Sequence, residues 1–115
     1  MEKAMIEKLI ADYLNSNLET SVYLETPETP PASYVLIEKT GSSEENYIYS
    51  ATLAIQSYAE SLICAAELNE KIKKLMHNAV KLNEICKSKL NSDYNYTDTA
   101  TKRYRYQAVF DVTYY

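Results

Sequence analysis

At the start of the chain Met5, Ile6, Leu9, Ile10, Tyr13 and Leu14 recur at three- and four-residue intervals, while Glu2, Lys3, Glu7, Lys8 and Asp12 fill most other positions. Residues that far apart share one face of a helix, so the spacing predicts a helix over residues 2 to 16. A short apolar run, Val22-Tyr23-Leu24, is then cut off by TPETPP. Its prolines cannot supply ladder hydrogen bonds, which predicts a brief strand and a rigid, extended connection. SYVLIEK, residues 33 to 39, is β-branched and apolar on both faces, as a more central strand would be. GSSEEN, residues 41 to 46, reads as a polar loop. YIYSATLAIQSY, residues 47 to 58, places Tyr47, Tyr49, Ala51, Leu53 and Ile55 on one face of a long strand, and Ile48, Ser50, Thr52, Ala54 and Gln56 on the other.

At Ser57 the period changes from two to that of a helix. Ser57-Tyr58-Ala59-Glu60 has the form of a capping box, with Ser61 a competing start, and the helix extends to about Asn78. Leu62, Ala65, Ala66, Leu68, Ile72, Leu75, Met76 and Ala79 gather in one arc, Cys64 at its edge. Ile63 is the large apolar residue on the opposite, polar face. EICKSKL, residues 84 to 90, alternates weakly, with Ile85, Lys87 and Lys89 on one side and Cys86, Ser88 and Leu90 on the other. A polar stretch, residues 91 to 101, leads into the closing run KRYRYQAVFDVTYY. The expectation is an α+β fold in the order α-β-β-β-α-β-β, a mainly antiparallel sheet with two helices packed on one face.

Length and composition fit that scheme. A chain of 115 residues is most simply one domain, residues 1 to 115, able to bury roughly two thirds of its unfolded surface. One glycine and twelve tyrosines mean few tight turns and much sheet-compatible aromatic surface. The charged N-terminus is unlike a signal or transit peptide, and no run approaches the eighteen or so apolar residues of a membrane span. The expectation is a soluble protein, intracellular at synthesis, with no membrane partner. With a net charge of -4, a phosphate-binding surface would be a local patch working against the overall field.

Little in the chain points to catalysis or to a cofactor. Cys64 and Cys86 lack metal or redox spacing and read as unpaired, packed thiols. His77, the one histidine, falls on the late, exposed turn of the second helix, where a cation suits the carbonyl end. A single glycine cannot build a phosphate loop. Glu44 and Glu45 are neighbours in a predicted loop, an ordinary solvated pair rather than an acid/base couple. No catalytic, cofactor or metal residue is assigned, and no enzymatic activity is expected.

The closing run has two readings. Tyr104 and Tyr106, flanked by Lys102, Arg103 and Arg105, have the composition of a base-stacking platform. The same two tyrosines share a face with Ala108, Phe110, Val112 and Tyr114, an apolar stripe that favours a core strand. Arg103, Arg105, Gln107, Val109, Asp111 and Thr113 then form a mixed second face for water or a partner subunit.

Three stretches in order resemble the tail terminator, or tail completion, proteins of long-tailed bacteriophages: VYLETPETPPASYVLIEKTG at 22 to 41, YSATLAIQSYAESLICAAELNEKIKKLM at 49 to 76, and TKRYRYQAVFDVTY at 101 to 114. The likeness lies in an early strand reaching a proline-containing link and a VLIExTG strand before a variable loop. A strand ending AIQSYA then runs into an SxxxAxEL helix, and a final RY…TY strand completes the order. Tyr94 and Tyr96 depart from the pattern. The resemblance implies a virion protein of the neck or tail, assembled in the host cytoplasm. It would form a homo-oligomeric ring, typically a hexamer, that caps the head-proximal end of the tail tube. Its other partners would be the tail tube protein and a head-completion protein, with DNA passing through the lumen unread and no cofactor.

A ring subunit needs heterologous, partly apolar surfaces on different sides. Candidates are Ile63, Tyr94, Tyr96, Val109 and Tyr115, with Arg103, Arg105 and Asp111 on the mixed face and Glu44 and Glu45 directed at the tube or lumen. Scattered exposed apolar residues are also ordinary on a monomer. Two alternatives therefore stay open: a small ligand- or nucleic-acid-binding domain that uses Arg103 and Arg105, and another neck component such as a head-completion protein.

Overall fold

The computed structural model describes residues 5–101 and 103–115, so residues 2 to 4 of the expected first helix, and Lys102, lie outside it. Helix α1 (Ile6–Asn17) buries Ile6, Ile10, Ala11, Tyr13 and Leu14, the stripe that the spacing marks out. Helix α2 (Leu62–His77) buries Ala65, Leu68, Asn69, Ile72 and Met76. The two helices meet where the Tyr13 hydroxyl donates to the Leu75 carbonyl at 2.7 Å. Burial among these helices pushes the Tyr13 phenol above its usual pKa.

Beneath the helices lies one five-stranded sheet made of β1 (Val22–Tyr23), β2 (Tyr34–Glu45), β3 (Ile48–Ala59), β4 (Ile85–Asn95) and β5 (Tyr104–Tyr114). The strand order is β1-β2-β3-β5-β4, with β1 parallel to β2 and the other neighbours antiparallel. The fold is α+β in the expected order. Val35, Ile37, Leu53, Ile55, Ala108, Phe110 and Val112 turn toward the helices and are buried. The apolar stripe of the closing strand is therefore core: its last four positions are buried, and Tyr104 and Tyr106 are half-buried.

Four local expectations change. Ser61, not Ser57, caps α2, accepting from the Cys64 N–H at 3.2 Å. Pairing of β3 with β5 runs on to Ala59 opposite Tyr104, so the ladder claims the backbone that a cap at Ser57 would need. Residues 41 to 46 are not a loop. Gly41 to Glu45 pair with Thr52 to Ile48, and only Asn46 and Tyr47, both at positive φ (52° and 65°), make the turn. That is the geometry of a two-residue hairpin whose twist matches its strands. β4 likewise continues through the first five residues of the expected 91 to 101 loop, as far as Asn95. Register shifts at Cys86 and Asn91 reverse its phase, so Ser88, Leu90 and Asp93 join Ile85 on the helix side while Lys87, Lys89 and Tyr94 face away.

The expected centrality of β2 also holds only in part. Its outer edge pairs with β1 at Val35 and Leu36 alone. Beyond them the edge carries Glu38, Lys39, Glu44 and Glu45 and a register shift at Thr40, all of which discourage edge-to-edge pairing.

Candidate interaction surface on the open sheet face

The sheet face opposite the helices carries every second residue, and the register arranges these residues in rows across the strands. One row runs Tyr34, Tyr58, Arg105, Tyr96; the next runs Leu36, Gln56, Gln107, Tyr94. Directly opposed side chains in neighbouring strands touch, so these rows are contact chains. The Tyr34 and Tyr58 rings stack at 4.4 Å and 5°, and Tyr23 meets Tyr34 edge-on at 6.1 Å. The Arg105 guanidinium lies 4.3 Å from the Tyr96 ring centroid and 5.5 Å from that of Tyr58, while Arg103 sits over Tyr34 and Tyr58 at 5.7 and 5.6 Å. Such placements over aromatic faces are favourable for a cation.

A hydrogen-bond chain links the two rows. Arg105 Nη1 donates to the Tyr58 hydroxyl at 2.7 Å, Tyr58 to Gln56 Oε1 at 3.0 Å, and Gln56 Nε2 to Gln107 Oε1 at 2.9 Å. Gln107 Nε2 then donates to the Tyr94 hydroxyl. Every link donates in the same sense, an arrangement in which each bond polarises the next. Arg105 Nε adds a bond to the Tyr96 carbonyl at 2.7 Å, which fixes the guanidinium in the plane of the rows. Mutual packing buries Tyr34, Tyr58, Gln56 and Gln107 although no helix covers them. Burial raises the Tyr34 phenol above its usual pKa; Tyr58 adds to the shift and a hydrogen bond from Arg103 opposes it.

Further along the strands the open face changes character. Glu38, Ala54, Val109 and Ser92 form a middle row. Beyond it Asp111 accepts from Thr52 Oγ1 at 2.9 Å and from Asn91 Nδ2 at 3.0 Å, and a shallow depression of about 340 Å³ is lined partly by Ser43, Ser50, Thr52, Asp111 and Thr113. This end is polar and short-chained.

The expected interface residues thus fall into groups. Arg103, Arg105, Tyr94 and Tyr96 come together at one end of the open face, with Val109 and Asp111 following on the same face. Tyr94 is not a loop residue but belongs to β4, whereas Tyr96 lies just past the strand, its N–H bonded to the Arg105 carbonyl. Glu44 and Glu45 lie at the far tip of the β2–β3 hairpin, on opposite faces of it, Glu44 opposite Tyr49 and Glu45 opposite Ile48. A hydrogen bond to Glu44 pushes the Tyr49 phenol up. Ile63, 65% exposed, stands beside the exposed Leu62 in the first turn of α2. Tyr115 lies just past β5, its N–H bonded to the Glu84 carbonyl at 3.1 Å, and a hydrogen bond with Cys86 pushes its phenol up. Cys64 and Cys86 are both exposed, so the expectation of packed thiols is corrected: α2 turns Cys64 outward, and Cys86 sits at the register shift in β4.

The residues that pattern reading missed are Tyr23, Tyr34, Tyr58 and Gln56; Gln107 lies on the expected mixed face, but its bonds to Gln56 and Tyr94 were not foreseen. The signal that would have found them is parity. Tyr58 and Gln56 share the second face of β3, and pairing β3 with β5 in the hydrophobic register sets them opposite Arg105 and Gln107. Among the described residues no cluster of three or more His, Cys, Asp or Glu could hold a metal, and no helix is long and apolar enough to cross a membrane. No protein-family model matches the chain, and no curated protein sequence matches it.

Proposed function

We propose that the protein is a structural neck or tail subunit of a bacteriophage or prophage, a tail-terminator-like protein. It would cap the head-proximal end of the tail tube as a homo-oligomeric ring of about six copies and join tail to head. The observation that carries the reading is a pair of unlike, uncovered surfaces at opposite ends of an elongated subunit of 44 × 26 × 23 Å. One is the tyrosine–arginine end of the open sheet face; the other is the hairpin tip with Glu44, Glu45, Tyr47 and Ile48 exposed. A ring subunit must contact its neighbours and also present a separate surface to the tube or lumen, so two unlike ends suit it better than one self-complementary patch. The order of the sequence stretches that resemble tail terminators supports the same reading. In it the tube protein and a head-completion protein meet the two rims of the ring, DNA passes through the lumen without being read, and the subunit performs no chemistry. The corresponding location is the virion neck, after assembly in the bacterial cytoplasm.

The deciding experiment is light scattering on the purified protein with negative-stain imaging, alone and mixed with tail tubes. Rings of about six subunits, or tubes capped at one end, support the proposal. A protein that stays monomeric at high concentration and leaves tube ends bare sinks it. A second reading, a small nucleic-acid-binding domain, is favoured by one observation: the Tyr94 and Tyr96 rings are 41% and 45% exposed beside Arg105. It predicts salt-dependent binding of single-stranded DNA, lost when both tyrosines become alanine.

A further inference from the structure

At the rims of the two rows two donors keep capacity for a partner, although Arg103 already bonds Tyr34. Arg103 is exposed and has no carboxylate within 4.0 Å among the described residues. Tyr94 accepts the last bond of the relay, which leaves its own hydroxyl proton directed elsewhere. An occupant of this surface should therefore be rich in acceptors, negatively charged and matched to tyrosine rings.

One segment of the chain has that chemistry. Residues 25–30 read Glu-Thr-Pro-Glu-Thr-Pro, a triplet given twice, followed by Pro31. Proline fixes φ near the polyproline II value and lacks an N–H, so the segment favours an extended helix of three residues per turn that presents carbonyl acceptors. At that period Glu25 and Glu28 lie on one ridge, Pro27 and Pro30 on a second, and Thr26 and Thr29 on the third. Among the described residues, residues 24–33 make no hydrogen bond or ion pair, and most are exposed. Proline ridges dock between aromatic side chains in several recognition modes. Lengths also agree: seven residues at about 3.1 Å each reach about 22 Å, and four spacings of about 4.8 Å from β1 to β4 span about 19 Å.

We propose that the acidic proline segment of one copy lies across the tyrosine–arginine rows of the next copy. Glu25 and Glu28 meet Arg103 and Arg105, Pro27 and Pro30 pack on the exposed rings of Tyr94 and Tyr96, and the Tyr94 hydroxyl donates to a segment carbonyl. The segment and the rows are different patches of one subunit, so the contact is head-to-tail. It rests on the reading of the protein as a self-assembling subunit, and it names the contact that joins the copies.

The test uses full-length protein and a synthetic peptide, LETPETPPAS, residues 24–33. In Glu25→Lys/Glu28→Lys protein the segment is altered at exposed positions without contacts, so the fold is kept and the rows are left empty. That variant should lose assembly in light scattering. It should bind the peptide saturably, shifting the amide signals of Tyr34, Tyr58, Tyr94, Tyr96 and Arg105. Adding Arg103→Glu should weaken peptide binding about tenfold or more and restore binding of the peptide carrying lysines at both glutamate positions. Arg103 is the site for reversal because it stands outside the relay, and circular dichroism checks that the variant folds. If wild-type rings form and persist in Glu25→Lys/Glu28→Lys protein, this contact is wrong while the ring reading stands. If wild-type protein is monomeric yet the peptide binds its rows, the ring reading fails and the docking chemistry stands. Monomeric protein that ignores the peptide removes both.

Discussion

Arg105 does more than its position in a basic-aromatic run suggests. Its guanidinium donates to Tyr58 and to the Tyr96 carbonyl, each at 2.7 Å, and lies against both rings. Truncation would strip the first donor from the relay and leave the buried Tyr58 without it. Arg105→Ala should therefore lower unfolding free energy by about 1–3 kcal/mol in urea titration. Arg105→Lys should recover only part of that, because an ammonium cannot reproduce the planar fork. A second residue-scale prediction concerns acid. Hydrogen bonds from Thr101 and Ala100 hold the Asp98 carboxyl below its ordinary value of 3.8. A folded-state pKa below the unfolded one contributes stability that is present above the unfolded value and lost as pH falls through the folded one. Asp98→Asn should thus flatten the acid limb of the stability curve below about pH 4 relative to wild type. Parity exposed Arg105 as a residue of the second face, but its partners were not legible. Tyr58 and Gln56 become its neighbours only through a pairing 47 to 51 residues distant in sequence, which no local pattern encodes.

At the scale of elements, the two serines near the start of α2 separate what local sequence predicts from what the sheet imposes. Ser61 caps the helix, and Ser61→Ala should cost about 1 kcal/mol. Ser57 is wholly buried in β3, and its hydroxyl has no hydrogen-bond partner among the described residues. Ser57→Ala removes an unsatisfied polar atom and should be neutral or stabilising, the reverse of what a cap would show. Thermal melts of the two variants decide between the sites. The β2–β3 turn gives a similar contrast. Tyr47 holds φ at 65° and is 86% exposed, an orientation that costs a non-glycine residue about 1–2 kcal/mol. Tyr47→Gly should raise stability by up to about 1 kcal/mol in the same melts. An exposed tyrosine at a position where glycine would relieve strain is compatible with the contact role proposed for the tip. Helices and apolar strands were legible because burial of one face imprints a period. The ends of β2 and β4 were not. Their Ser, Glu, Asn and Asp residues carry no such imprint, and hydrogen bonding to β3 and β5 alone makes them strands.

For the whole molecule, the hairpin tip offers the sharpest test of a conduit role. Glu44 and Glu45 are exposed at the end of the long axis, on opposite faces of a hairpin rigidly paired down to Glu45 opposite Ile48. In a ring whose lumen carries DNA, carboxylates near the passage repel phosphates and keep the polymer sliding, and a basic rim would hold it by displacing its counterions. Glu44→Lys/Glu45→Lys alters only exposed side chains, so the subunit should fold and melt as wild type does. One local change confirms that the substitution reaches its mark: without Glu44, the Tyr49 phenol falls back toward 10.0 in an absorbance titration. If the tip faces the tube or the lumen, the variant should still form rings but give on the order of tenfold fewer joined, infectious particles in a complementation assay, with part of the loss relieved by added salt. Normal joining by the lysine variant would place the tip on the outside of the ring. The open-face rows would then be the only one of the two ends with a role in assembly.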